Sequence, residues 1–136
     1  MGLMDRLRAR RTASGPESEE DTGVPPAVDV ETRRRQLIDL DAELRALARE
    51  MAADPARMRN PGWAGKVADY RAVAAEAAAI ERDGFDRAAL TDLANQVVPL
   101  YRAGVDVPPE YLPFTQAHGR VMAAADALRA VLPSET

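Results

Sequence analysis

At 136 residues the chain is long enough for one domain with its own core, and 46% of it is hydrophobic but only 4% aromatic. The absence of cysteine excludes a disulfide framework, a thiolate zinc site and a thiol nucleophile. No run of about 20 apolar residues is present to span a membrane, and a net charge of −4 with a pI of about 5.1 runs against a nucleic-acid surface, which ordinarily carries a basic face.

Much of the apolar content is alanine, the strongest helix former, so a thin core of closely spaced helices is expected. The charge is polarised along the chain. Residues 1–11 carry Arg6, Arg8, Arg10 and Arg11 against Asp5 alone. Residues 12–31 carry Glu17, Glu19, Glu20, Asp21, Asp29 and Glu31 and no basic residue. From Thr32 onward, basic and acidic side chains nearly balance. The predicted organisation is a basic docking segment (1–11), a disordered acidic linker (12–28) and a helical domain (29–133).

In the first segment, helical geometry would place Leu3, Met4 and Leu7 on one face and Arg6, Arg8, Arg10 and Arg11 around the other. A short basic amphipathic segment on a flexible tether is a means of docking, on an apolar groove of a partner or on an anionic membrane. Three apolar side chains alone give marginal membrane affinity, which favours a protein partner. Position 6 is Arg6 rather than Ser or Thr, so myristoylation of Gly2 is not expected. The following stretch, TASGPESEEDTGVPPA, lacks apolar periodicity and cannot bury enough surface to offset its ordering entropy.

The first helix is predicted from Val30 to Ala53, capped by Asp29, with Leu37, Leu40, Leu44, Leu47 and Met51 on one face. Asp54-Pro55 ends it. The run Arg33-Arg34-Arg35 reads as a solvated basic patch, or as a contact for an acidic partner or the acidic linker. A second helix opens at Asn60-Pro61 and closes at Gly84. Its stripe is Trp63, Val67, Tyr70, Ala74 and Ala77, and its alanine-rich surface lets a neighbouring backbone approach closely. A third starts at Asp86, with Phe85 stapled to Leu90 and with Leu90, Leu93, Val97 and Leu100 or Tyr101 toward the core. Pro99 predicts a kink or tight turn near Val98. After a proline-rich loop with one possible helical turn, Pro113 suits the start of a fourth helix with the stripe Phe114, His118, Val121, Ala125, Leu128 and Leu132. The fold class is therefore all-α, an antiparallel bundle of three to four helices with a disordered N-terminal tether.

Candidate chemistry is sparse. Between Val30 and Leu132 there is no serine, and His118 is the chain's one histidine. It has no carboxylate three or four residues away, so the Glu-x-x-His pattern of metal-binding bundles is missing. Gly62-Trp63-Ala64-Gly65-Lys66 lacks both a preceding strand and the Ser/Thr of a phosphate loop. Trp63-Ala64-Gly65 has the Trp-x-Gly form of the WXG family of small secreted helical hairpins. The acidic linker, the extra helices and the lack of that family's Tyr-x-x-x-Asp/Glu signal depart from it, so membership is not assigned.

The expectation is a non-enzymatic interaction module: an adaptor, assembly factor or structural subunit of a bacterial or phage assembly, with no cofactor or metal. Its partner would be another protein or a further copy of the chain. The docking residues would be Leu3, Met4, Leu7, Arg6, Arg8, Arg10 and Arg11. The alternatives are a peripheral protein of an anionic membrane surface and a small-ligand binder or enzyme using His118. Nucleic acid is not an expected partner. The first residues lack the apolar core of a secretory signal, so a cytoplasmic location is expected.

Overall fold

The computed structural model describes residues 27–102 and 104–136. Among them the regular structure is all helical, with five α-helices and two short 3₁₀ segments. Helix α1 (Val30–Ala52) begins where the Asp29 carboxylate accepts from the Thr32 N–H at 3.1 Å. Helix α2 (Pro55–Met58) is a single turn capped by Asp54. Helix α3 (Pro61–Asp83) starts on Asn60, whose side-chain oxygen accepts from the Gly62 N–H at 2.8 Å. Gly84 closes α3 at φ +115°, a backbone region open to glycine. Helix α4 (Arg87–Asn95) is capped by Asp86, and helix α5 (Thr115–Arg129) follows a 3₁₀ segment, Pro109–Phe114.

The stripes pack as their spacing predicts except at the end of α5, which stops at Arg129 and leaves Leu132 half-buried outside the helix. Leu37, Leu40, Leu44, Leu47 and Met51 of α1 are fully buried, and α1 packs against both α3 and α5. Ala74 and Ala77 of α3, with Ala48, Ala94, Ala117 and Ala125, let the helices approach closely across this core. Of the other alanines on α3, Ala72 and Ala75 are exposed and Ala78 and Ala79 half-buried. No helix of the described residues is long and apolar enough to cross a membrane.

Three local expectations are narrowed or changed. Helix α4 ends at Asn95, and of the two outcomes expected near Val98 it is the tight turn, not the kink, that occurs. Proline has no N–H, and its ring clashes with the carbonyl four residues earlier, which is that of Asn95. The Gln96 and Val97 N–H groups instead close tight turns onto the Leu93 and Ala94 carbonyls. Leu100 is still buried, but from a loop rather than a helix face. Helix α5 begins at Thr115, because Pro113 belongs to the 3₁₀ segment.

The largest change concerns Arg33. The expected solvated patch does not include it: Arg33 is 0% exposed and pairs with Glu135, itself 4% exposed. Its Nε donates to Glu135 Oε2 at 2.8 Å and its Nη2 to Oε1 at 2.5 Å. The rest of the guanidinium donates to the Ala127 and Ala130 carbonyls and to the Gln36 side chain. These carbonyls lie at the end of α5 and just beyond it, where orphan acceptors need donors. Glu135 in turn accepts from the Asp29 N–H at 2.9 Å and the Leu132 N–H at 3.1 Å. The packed unit thus extends past Pro133, and the start of α1 is fastened to the end of the chain. Arg34 and Arg35 remain exposed, with Arg34 3.5 Å from Glu81.

Candidate functional site

The predicted docking residues Leu3, Met4, Leu7, Arg6, Arg8, Arg10 and Arg11 and the acidic linker before residue 27 lie outside the described residues. Within them, two places concentrate polar and aromatic side chains.

The first is a cleft of about 520 Å³ at the C-terminal end of α1, lined by Ala56, Arg57, Asn60, Gly62, Trp63, Lys66, Glu110 and Tyr111. Its size falls within the ordinary range of ligand clefts, about 300–1,000 Å³. The local sequence builds it. The Asp54 and Asn60 caps turn the chain sharply through α2, which brings Arg57 beside the first turn of α3. Trp63 is only 7% exposed and anchors the corner, its indole N–H donating to the Met51 carbonyl at 2.8 Å. Tyr111 stacks on it with centroids 5.6 Å apart and an interplanar angle of 11°, and Phe114 packs against it at 5.7 Å. The Arg57 guanidinium lies 4.9 Å from the Trp63 ring centre and donates to the Glu110 carbonyl at 2.6 Å. That placement combines a cation–π contact with a fixed hydrogen bond.

Two cations, Arg57 and Lys66, face one carboxylate, Glu110, around this cleft. Asp54 partly neutralises Arg57 at 3.4 Å, whereas Lys66 makes no ion pair among the described residues. Tyr111 is 8% exposed, and its hydroxyl has no hydrogen-bond partner among the described residues. Burial pushes that phenol above its ordinary pKa, so it is a neutral donor at physiological pH.

The second place is His118. It is 5% exposed, as a packed position on the α5 stripe requires, and its Nε2 accepts from the Leu100 N–H at 3.0 Å. Its ring packs on Tyr101 at 4.5 Å, and Tyr101 on Tyr111 at 6.1 Å. Four of the six aromatic residues and the single histidine therefore form one continuous cluster under the cleft. Sequence reasoning places Trp63 on the core stripe of its helix but misses this cluster, because Tyr111 comes from a proline-rich segment without helical periodicity and Tyr101 enters only as an alternative to Leu100 on the third helix. Pro108-Pro109 and Pro113 around Tyr111 were the available signal of a rigid, ordered segment.

The other polar groups of the interior also have structural partners. The Tyr70 hydroxyl donates to the Val98 carbonyl at 2.6 Å, and burial pushes its pKa well above the ordinary phenol value. Among the described residues no three His, Cys, Asp or Glu side chains come together as a metal group.

Burial holds the His118 pKa below its ordinary value of 6.5. A depressed histidine pKa means the fold favours the neutral ring, whereas the unfolded chain takes up a proton first as pH falls. The protein is therefore expected to lose stability as pH falls through about 6.5, the ordinary value, toward the lowered folded-state value. His118→Gln keeps an acceptor for Leu100 and removes the titration, so its melting temperature should be flat over that window. A wild-type profile equally flat would show that the ring titrates freely. Comparison with protein-family models, curated proteins and solved structures finds no match for the chain.

Proposed function

We propose that the chain is a non-enzymatic helical interaction module, an adaptor, assembly factor or structural subunit, that docks through its N-terminal segment. In this reading α1, α3, α4 and α5 form an antiparallel four-helix bundle that serves as a rigid body, and residues 1–11 on the acidic tether make the contact. The supporting observation is the use of the chemistry-capable side chains in that body, Lys66 and the Tyr111 hydroxyl at the cleft excepted. His118, Tyr70 and Trp63 each bond a backbone group, and Arg33 and Glu135 bond each other. Catalysis needs such groups directed at a substrate; here they hold segments together.

The sequence of the head supplies the contact chemistry, with Leu3, Met4 and Leu7 as apolar anchors and Arg6, Arg8, Arg10 and Arg11 as charges. A segment of this length is marginal as an isolated helix, so it orders on docking. Leu3→Asp with Leu7→Asp is expected to abolish partner binding while leaving the melting temperature of the bundle unchanged. Arg8→Glu with Arg10→Glu should weaken binding in a salt-dependent way, since exposed charges are screened beyond about 10 Å at 0.1 M salt. Co-sedimentation with anionic vesicles that is lost in the same variants would transfer the reading to a membrane surface. Wild-type binding by both variants would remove the head from the function.

A further inference from the structure

We infer that the cleft between α2, α3 and the 3₁₀ segment is a docking site for an acidic, proline-containing peptide, and that its occupant is the Pro16–Asp21 stretch of a second copy of this chain. The inference goes beyond head docking and does not depend on it. Three features of the cleft point to the ligand class. Lys66, the chain's only lysine, is exposed at the rim without an ion-pair partner among the described residues. The Tyr111 hydroxyl makes no hydrogen bond among the described residues and, in a residue only 8% exposed, is open to the cleft rather than sealed in the interior. Trp63 and Tyr111 stack on each other, Arg57 lies over Trp63, and the parts of the two aromatic residues that remain exposed line the cleft, an apolar contact for a proline ring. A carboxylate answers both the ammonium and the phenol, and an adjacent proline answers the apolar contact.

The chain itself contains such a peptide. Gly15-Pro16-Glu17-Ser18-Glu19-Glu20-Asp21 joins a proline to four acids, and residues 12–31 contain no cation to oppose them. Reach decides between the chain's own segment and that of another copy. Helix α1, with 23 residues, is about 34 Å long, and the cleft lies at the end opposite Val28. A fully extended strand covers at most about 3.6 Å per residue. Asp21 can therefore travel about 25 Å from Val28 and Glu17 about 40 Å. The acidic run cannot sit in its own cleft as a unit, whereas a second chain has no such restriction. Reciprocal exchange would make a two-fold dimer, in which each copy supplies one peptide and one cleft.

Sedimentation velocity on the full chain tests this, with fluorescence of Trp63, the only tryptophan, as an internal reporter. The expected result is a concentration-dependent dimer that weakens with salt. Lys66→Glu should raise its dissociation constant by about tenfold or more. So should Glu17, Glu19, Glu20 and Asp21 changed together to Gln, with the helix content of the monomer unchanged in both cases. Tyr111→Phe should weaken it less, through loss of one hydrogen bond. A synthetic peptide of residues 12–27 should dissociate the dimer and shift Trp63 emission. A chain monomeric at every concentration overturns the inference whatever the peptide does, and so does a dimer indifferent to Lys66→Glu and to neutralisation of the four acids. Deleting residues 1–11 should leave this dimer intact while abolishing head docking, so the two readings fail separately.

Discussion

Replacing Arg33 with alanine is expected to destabilise the protein by about 3–5 kcal/mol, the usual consequence of removing one partner of a buried ion pair. The loss has two parts. The Glu135 carboxylate would stay in its buried position with only the Asp29 and Leu132 N–H groups, and Arg87 at 3.9 Å, to stabilise its charge. The Ala127 carbonyl would lose its guanidinium donor, and Ala130 would keep only Arg87. Changing Arg33 to Met together with Glu135 to Leu should cost less than either single change, because no uncompensated charge is then left inside. Urea unfolding of the two singles and the double forms a cycle, and a coupling free energy near zero would show that the pair contributes nothing.

The same pair sets an acid limit. The hydrogen bond from Arg33 holds the Glu135 pKa down to about 2 from an ordinary value of 4.5. A carboxylate with a depressed folded-state pKa contributes stability that is complete above the unfolded value and is lost as pH falls through the folded one. The loss should therefore lie between about pH 4.5 and pH 2, whereas the loss due to His118 begins higher, near pH 6.5. In Glu135→Gln the slope of stability against pH in that acid range should be smaller than in the wild type.

How these features stand in the sequence explains which were legible. The α1 stripe could be read because alternating steps of three and four admit one face only, and its caps because Asp29, Asn60 and Asp86 each precede a helix by the required single position. Arg33 was legible only in hindsight. It lies four residues before Leu37, so it extends the buried stripe by one turn, but its neighbours Arg34 and Arg35 made it resemble a solvated run. Its partner is 102 residues away, past a proline and almost at the last residue, where no local pattern operates. The cleft was hidden for a related reason. Trp63 and Lys66 are on a helix, but Tyr111 and Glu110 reach them from a segment whose path is set by tertiary packing rather than by period.

Leu44→Ala in α1 and Leu128→Ala in α5 are each expected to cost about 2–5 kcal/mol. Both side chains are fully buried, and each lies mid-stripe in a core where alanine supplies six of the 23 buried hydrophobic residues. How far the neighbouring side chains collapse into the space left behind sets where in that range each cost falls. A domain at the lower end of ordinary stability, about 5 kcal/mol, would then be left with a small margin or none. Ile38, one turn from the stripe on the outer face of α1, is the matched control. It is exposed, and truncating it should change stability by no more than about 0.5 kcal/mol. Thermal or urea denaturation of the three variants reads the contrast directly. Equal midpoints for Leu44→Ala and Ile38→Ala would show that the two faces of α1 are equivalent, and the assignment of α1 as the central helix packed against α3 and α5 would have to be given up.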